Sequence, residues 1–488
     1  MILVHLKIKI MEKRKKIGFV LGFLCFIFFI VTPPPNGMNP LGMKALAISS
    51  LMAIFWVTEA ISIFATSFLP IALFPLLGIL DSNQLAASYG HHIVILIIGA
   101  FFVAKAIETN NLHKRIALST IKMIGTSRTS IMLSFMIATG FLSMWTSNNS
   151  TTLMMLPIGI AIINREKKLG ADVSSFAPAL MLAIAYSASI GGTGTLVGTP
   201  PNLVFVSTAH ELFPEFEPIL FTEWLKVGIP FVCLFLPVSW IYLVKFFNIK
   251  GNLHGDRNII HREYDNLGDM SSAEKKVAVI IVFYALGFIF RNWWSELLGV
   301  TGFVKDSTVA VLAAIILFAL PSGEKNMKGK QVRLLEWEDA KTIPWGIGML
   351  IGGGLAIASS FKSSGLIEWV GTAIDLGGIS IFFILIFVVT FMIFLTEVNS
   401  NTATTAIFLP VLAGISIAGD FHPYLLMIPA TFAASCAFML PSGTGPNASV
   451  LASGHLKIPQ MARVGFGLNI LAILLIVILF YFFPLDLY

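Results

Sequence analysis

Most of this 488-residue chain alternates long apolar runs with short polar breaks. Runs near 17–32, 43–59, 60–79, 93–112, 176–210, 227–247, 277–293, 307–320, 343–361, 424–457 and 464–485 read as membrane crossings, since a spanning helix needs about 20 apolar residues. Two further regions, 129–164 and 379–419, behave differently. One straight helix of that length would reach about 55 Å, against a hydrocarbon core of about 30 Å. Each is broken at its middle by nearly the same polar cluster, "TSNNSTT" at 146–152 and "NSNTATT" at 399–405. The pattern predicts two re-entrant hairpins, each with a Ser-Asn cluster at a tip that must be buried in protein or line a wet cavity.

Basic residues orient these elements, because Lys and Arg concentrate on the cytoplasmic side. The first hairpin is flanked by Lys122 and Arg128 before it and by Arg165, Lys167 and Lys168 after it, so both of its ends read as inside. The second is flanked by "GTAIDLGGIS" (371–380) and "GDFHP" (419–423), with no Lys or Arg, so both of its ends read as outside. From a basic N-terminal tail inside, eleven crossings place 113–128, 248–276 and 322–333 inside. They place 211–223, with Glu211, Glu215, Glu217 and Glu223, outside, along with the C-terminus. Lys44, Arg291 and Lys305 are exceptions near outer ends.

Composition agrees with the pattern: 56% of residues are hydrophobic and only 12% charged, where soluble proteins carry about 25% charge. The expectation is a multi-pass protein of the plasma membrane, with the lipid bilayer as a partner and no nucleic acid. The run Lys13-Arg14-Lys15-Lys16 before Ile17–Thr32 is followed by Pro33-Pro34-Pro35, without the small-residue site that a cleaved signal requires. Cys25, Cys233 and Cys436 lie far apart in apolar runs and read as packing residues.

An internal repeat sets the architecture. "LIIGAFFVAKAIETNNL" (96–112) aligns without gaps to "LIGGGLAIASSFKSSGL" (350–366), and "SNNSTTLMMLPIGIAI" (147–162) to "SNTATTAIFLPVLAGI" (400–415). "GTPPN" (198–202) returns as "GTGPN" (443–447), each inside a long span interrupted by Gly and Pro. One unit of span, hairpin and broken span therefore occurs twice, and the charge pattern gives the copies opposite orientation. The expected fold is all-α and polytopic, with about 11 transmembrane helices and two re-entrant hairpins in an inverted-topology repeat. The expected divisions are 1–92 (N-terminal helices), 93–210 (first repeat unit), 211–342 (linker and a second group of helices), 343–463 (second repeat unit) and 464–488 (terminal helix).

Inverted repeats with broken helices meeting near the midplane are the plan of secondary transporters. Helix N-termini offer unpaired N–H groups to an anion, and unwound carbonyls offer oxygens to a small cation. Two Ser-Asn tips would bracket a substrate with a carboxylate at each end. Lys105 and Glu108 read as an i,i+3 ion pair. Glu397 reads as a structural residue ahead of a proton site, and His91 and His92 as interfacial. The chain lacks an HExxH motif, a nucleophile elbow in a plausible context and a paired intramembrane Asp, so an enzyme is a remote alternative. A channel would instead build its pore around a symmetry axis.

From "WVTEAISIFATSFLPI" (56–71) through both Ser-Asn tips to "GTGPN", the chain resembles the divalent anion/sodium symporters, carriers of succinate, other C4-dicarboxylates, α-ketoglutarate or citrate. That resemblance implies a homodimer and a mobile transport domain working as an elevator. It implies substrate contacts at Ser147, Asn148, Asn149, Gly198, Thr199, Ser400, Asn401, Thr402, Gly443 and Thr444. It implies no cofactor, with Na+ as a coupling ion at Ser143, Ser147, Asn148 and Gly198 in one site and Thr396, Asn399, Asn401 and Gly443 in the other. Two departures stand out: Asn149 where the family has Thr, and Gly445 where it has Pro. Both lean the reading toward dicarboxylate exchange, with Na+-coupled symport as the alternative.

Overall fold

The computed structural model describes residues 2–124, 127–253, 264–325 and 329–482. The expected outer C-terminus, 483–488, and part of the inner loop 248–276 lie outside them.

The two repeats fold into matching elements. In the first, helix His92–Thr109 is followed by Leu112–Ile124, then by the arms Arg128–Ser143 and Asn148–Lys168, then by the half-helices Phe176–Gly192 and Pro200–Leu212. In the second the order is Gly346–Ser363, Leu366–Ala373, the arms Ile381–Thr396 and Asn401–Ala418, and the half-helices Tyr424–Ala434 and Gly445–Ala452. Even the bend after the leading helix is shared. Asn111 (φ 57°) and Gly365 (φ 69°) take the left-handed conformation at equivalent positions, using the two residue types that adopt it most readily. In the second copy this bend turns the chain by 68°.

Each polar cluster stops one arm and starts the next. The returning arms begin at N-cap residues Ser147 and Ser400, both extended. Thr152 Oγ1 donates back to Asn148 O and Thr405 Oγ1 to Asn401 O, each at 2.8 Å. The tips are braced alike: Thr146 Oγ1 lies 2.6 Å from Thr151 Oγ1, and Asn399 Nδ2 donates to Thr404 Oγ1 at 3.1 Å.

The interrupted spans bury backbone groups that lack helical partners, and such groups need donors from elsewhere. Trp224 Nε1 donates to Thr193 O (2.9 Å) and Asn202 Nδ2 to Thr195 O (2.7 Å). In the other break Asn447 Nδ2 serves Ala437 O (3.0 Å) and Leu440 O (3.1 Å), and the fully buried Tyr186 hydroxyl reaches Phe438 O (2.8 Å). Tyr186 thereby ties the first broken span to the second.

Backbone contact holds the first hairpin to the first broken span. A Cβ at Gly191 would lie 2.2 Å from Gly140 O, and small residues allow such approaches between membrane helices. Gly191→Ala is expected to cost about 1–3 kcal/mol, as overpacking does. It should lower the thermal midpoint of purified protein in detergent; a midpoint equal to the parent's would refute that contact.

Three features differ from the sequence expectation. The 60–79 run is broken after the left-handed Glu59 (φ 51°) into Ile63–Thr66 and Leu69–Leu77, with Pro70 and Pro75 in the second piece. Among the described residues, five helices are individually long and apolar enough to cross a membrane, six if the bent pair counts as one. The shorter ones include the half-helices, because each break divides an apolar run. Finally, the chain is not wholly α: Pro321–Lys325 and Gln331–Arg333 pair as an antiparallel hairpin in the basic 322–333 loop. Two short polar strands give no alternating apolar signal to read.

Candidate functional site

A cavity of about 450 Å³ opens between the two repeats. Its lining includes all ten expected substrate residues: Ser147, Asn148, Asn149, Gly198, Thr199, Ser400, Asn401, Thr402, Gly443 and Thr444. The N-cap residues of four helices face it together, Ser147, Thr199, Ser400 and Thr444. Each helix N-terminus contributes about half a positive charge and unpaired N–H groups. The caps at Thr199 and Ser400 make no side-chain bond to their own helix, which leaves those hydroxyls for a ligand. Among the described lining residues only Glu59 is charged, and it sits 3.9 Å from Arg14. The arrangement suits a small dianion held by dipoles and hydroxyls.

Behind each tip lies a cluster of oxygens. Ser143 Oγ is 2.8 Å from Asn148 Oδ1 and 2.7 Å from Ala188 O. The same amide end of Asn148 lies 3.2 Å from Ala188 O and 3.3 Å from Gly198 O. In the second repeat Thr396 Oγ1 is 2.7 Å from Asn401 Oδ1 and 2.8 Å from Ala434 O. A hydroxyl has one proton and cannot satisfy two acceptors at once. In the first cluster either the amide nitrogen turns inward to donate, a choice of assignment, or the converging oxygens hold a cation.

Ser143 and Thr396 are fully buried and stand behind the cavity. Asn399 is a different case. Its side chain serves the tip, donating to Thr404 Oγ1 and accepting from Ser400 N at 2.9 Å.

Glu397 accepts from the backbone of the second break: Phe438 N at 2.7 Å, Met439 N at 2.9 Å and Leu440 N at 2.9 Å. Asn469 Nδ2, on helix Ile458–Phe482, adds a fourth donor at 2.8 Å. The carboxylate therefore shapes the loop that carries Gly443 and Thr444. The expected pair of Lys105 and Glu108 is present, Nζ to Oε1 at 3.0 Å.

Sequence reading did not find the carbonyls of Ala188 and Ala434, because their role is purely backbone. Phe101, Ile63 and Ile347, which close the cavity from neighbouring helices, carried no signal beyond apolarity.

Known proteins resemble this chain along nearly its whole length. The chain is 41% identical over 475 residues to a protein of Staphylococcus saprophyticus named sodium-dependent dicarboxylate transporter SdcS, covering 96% of this chain and 91% of that one. It is 43% identical over 493 residues to the protein of the same name from Staphylococcus aureus, covering 98% and 94%. Two solved structures share the fold, each at a TM-score of 0.55 and 12% identity. They are Neisseria gonorrhoeae MtrF, with coverage of 97% of this chain and 94% of that one, and the Alcanivorax borkumensis YdaH transporter, with 89% and 99%. The sodium:sulfate symporter transmembrane region matches residues 13–486; this chain is an integral membrane protein of the sodium:sulfate symporter family.

Proposed function

We propose that the protein is a Na+-coupled symporter of dicarboxylates in the plasma membrane. The observation that carries this reading is the convergence of four helix N-termini on one cavity, with an oxygen cluster behind each tip. Two facing tips match a substrate charged at both ends. Because the described lining offers no permanent positive side chain, bound cations would balance the rest of the dianion's charge. Relatives of nearly full length that are named sodium-dependent dicarboxylate transporters support the same reading.

Sodium coupling replaces the expected lean toward exchange. That lean rested on Asn149 and Gly445. Those two residues lie against each other at the cavity wall, and the Ser143–Asn148 and Thr396–Asn401 clusters do not involve them.

The hairpins and broken spans, roughly 93–210 and 343–463, would form the moving unit of an elevator. The inverted orientation of the two copies would give it access to either side, and the helices of 1–92 and 211–342 would hold a homodimer still.

Labelled succinate uptake into proteoliposomes tests the coupling. An inward Na+ gradient is expected to raise initial uptake at least about tenfold over K+, as loss of a coupling ion worth about 1.4 kcal/mol or more implies. Uptake that ignores Na+ and follows preloaded internal dicarboxylate would establish exchange instead.

A further inference from the structure

The Asn149 amide and Gly445 come from opposite repeats, 296 positions apart in the chain, yet they touch. A Cβ on Gly445 would stand 2.8 Å from Asn149 Oδ1 and 2.9 Å from its Cγ. Alanine therefore does not fit at 445 while Asn149 keeps its place. The same amide oxygen accepts a bond from Ser449 Oγ at 3.1 Å, one turn along the helix Gly445–Ala452. With Oδ1 engaged, Nδ2 is the donor atom left to a ligand, since a primary amide has one acceptor and one donor end. All of this happens at the wall of the substrate cavity, which both Asn149 and Gly445 line.

The internal repeat supplies a comparison within the same molecule. Residue 149 corresponds to Thr402, and residue 445 to Pro200. In that mirror pair the short side chain is on the tip and the ring is on the loop. At 149 and 445 the bulk is exchanged: the tip carries the longer amide and the loop carries none. Thr402 is buried while Asn149 is exposed to the cavity, so the longer group projects into substrate space.

We propose that Asn149, Gly445 and Ser449 form one specificity-determining unit that sets the length of the dicarboxylate. Ser449 orients the amide and Gly445 makes room for it. The amide reaches further across the cavity than a threonine hydroxyl would, which shortens the gap between the two carboxylate-binding ends. The site then favours a four-carbon over a five-carbon dicarboxylate. This rests on the dicarboxylate reading above.

The test is competition by unlabelled succinate and glutarate against labelled succinate uptake, in the parent and in Asn149→Thr, Ser449→Ala, Gly445→Ala and Asn149→Thr/Gly445→Ala. The parent should prefer succinate. Asn149→Thr and Ser449→Ala should shift the succinate-to-glutarate ratio toward glutarate, Asn149→Thr by about fivefold or more, which corresponds to about 1 kcal/mol. Gly445→Ala should weaken succinate competition about tenfold, and Asn149→Thr should restore most of that loss, because contacting residues couple in a double-mutant cycle. Additive effects of 149 and 445, or an unchanged ratio in both Asn149→Thr and Ser449→Ala, would overturn the unit while leaving dicarboxylate transport in place. If Gly445→Ala does not fold, recovery of folded, transporting protein in the double variant supports the contact, and its failure leaves the ratios of the other two variants to decide. A parent that takes up no dicarboxylate overturns the function reading and this one with it.

Discussion

Alanine at position 148 or 401 is expected to abolish Na+-driven uptake while leaving a folded protein. In the proposed symporter each asparagine would belong to two sites at once. Asn148 lines the substrate cavity and also meets Ser143 Oγ, Ala188 O and Gly198 O. Asn401 lines the same cavity and meets Thr396 Oγ1. Truncation would remove one bond to a carboxylate and one ligand of a cation. A hydrogen bond to a charged group is worth about 1.5–3 kcal/mol, so losing two polar contacts lowers uptake by about 100-fold or more. The fold should persist, because the arms and their apolar packing do not depend on the amide. Initial uptake rates, with size-exclusion profiles as a control, read both parts. Parent-like transport by both variants would remove the tips from the site.

Glu397→Gln is expected to damage the protein more broadly. The carboxylate faces three backbone N–H groups and the Asn469 amide, and it is only 3% exposed. Glutamine replaces one acceptor oxygen with an NH2 group that confronts donors. An unsatisfied buried group costs about 1–3 kcal/mol, and at least one donor, the Leu440 N–H that now meets Oε2, is left without an acceptor. The thermal midpoint should fall by several degrees and uptake by about tenfold or more, since the loop holding Gly443 and Thr444 loses its anchor. A variant of parent-like stability whose uptake has merely lost its pH dependence would instead make Glu397 a proton carrier.

Much of the site could be read from the chain because it is written twice. The Ser-Asn clusters, the repeated Gly-Thr-x-Pro-Asn loops and the break in each apolar run are local signals, and each maps onto a helix end facing one cavity. Their meeting depended on chain reversals that the repeat made predictable. What stayed hidden were contacts between distant segments with no local pattern. Glu397 could be recognised as buried and acidic, but its partners at 438–440 exist only because the second break folds back over the tip. The contact of Asn149 with Gly445 joins residues from different repeats, and read separately they suggested dicarboxylate exchange in place of sodium coupling. The break at 60–79 was obscured because its residues are apolar on both sides of Glu59.

The Asn148 amide has two chemically opposite ends, and only one of them can face the Ser143 oxygen cluster at a time. Without a cation, the end that suits two carbonyls is the nitrogen, which turns the oxygen toward the cavity, where it repels a carboxylate. With a cation in the cluster, the oxygen would turn inward and the nitrogen would present its protons to the substrate. A half-turn about one side-chain bond would thus make the two ligands report on each other. By reciprocity, whatever the ion does for substrate affinity the substrate does for the ion. Cooperativity of this kind requires no movement of the backbone, so it would be complete before the transport unit begins to travel.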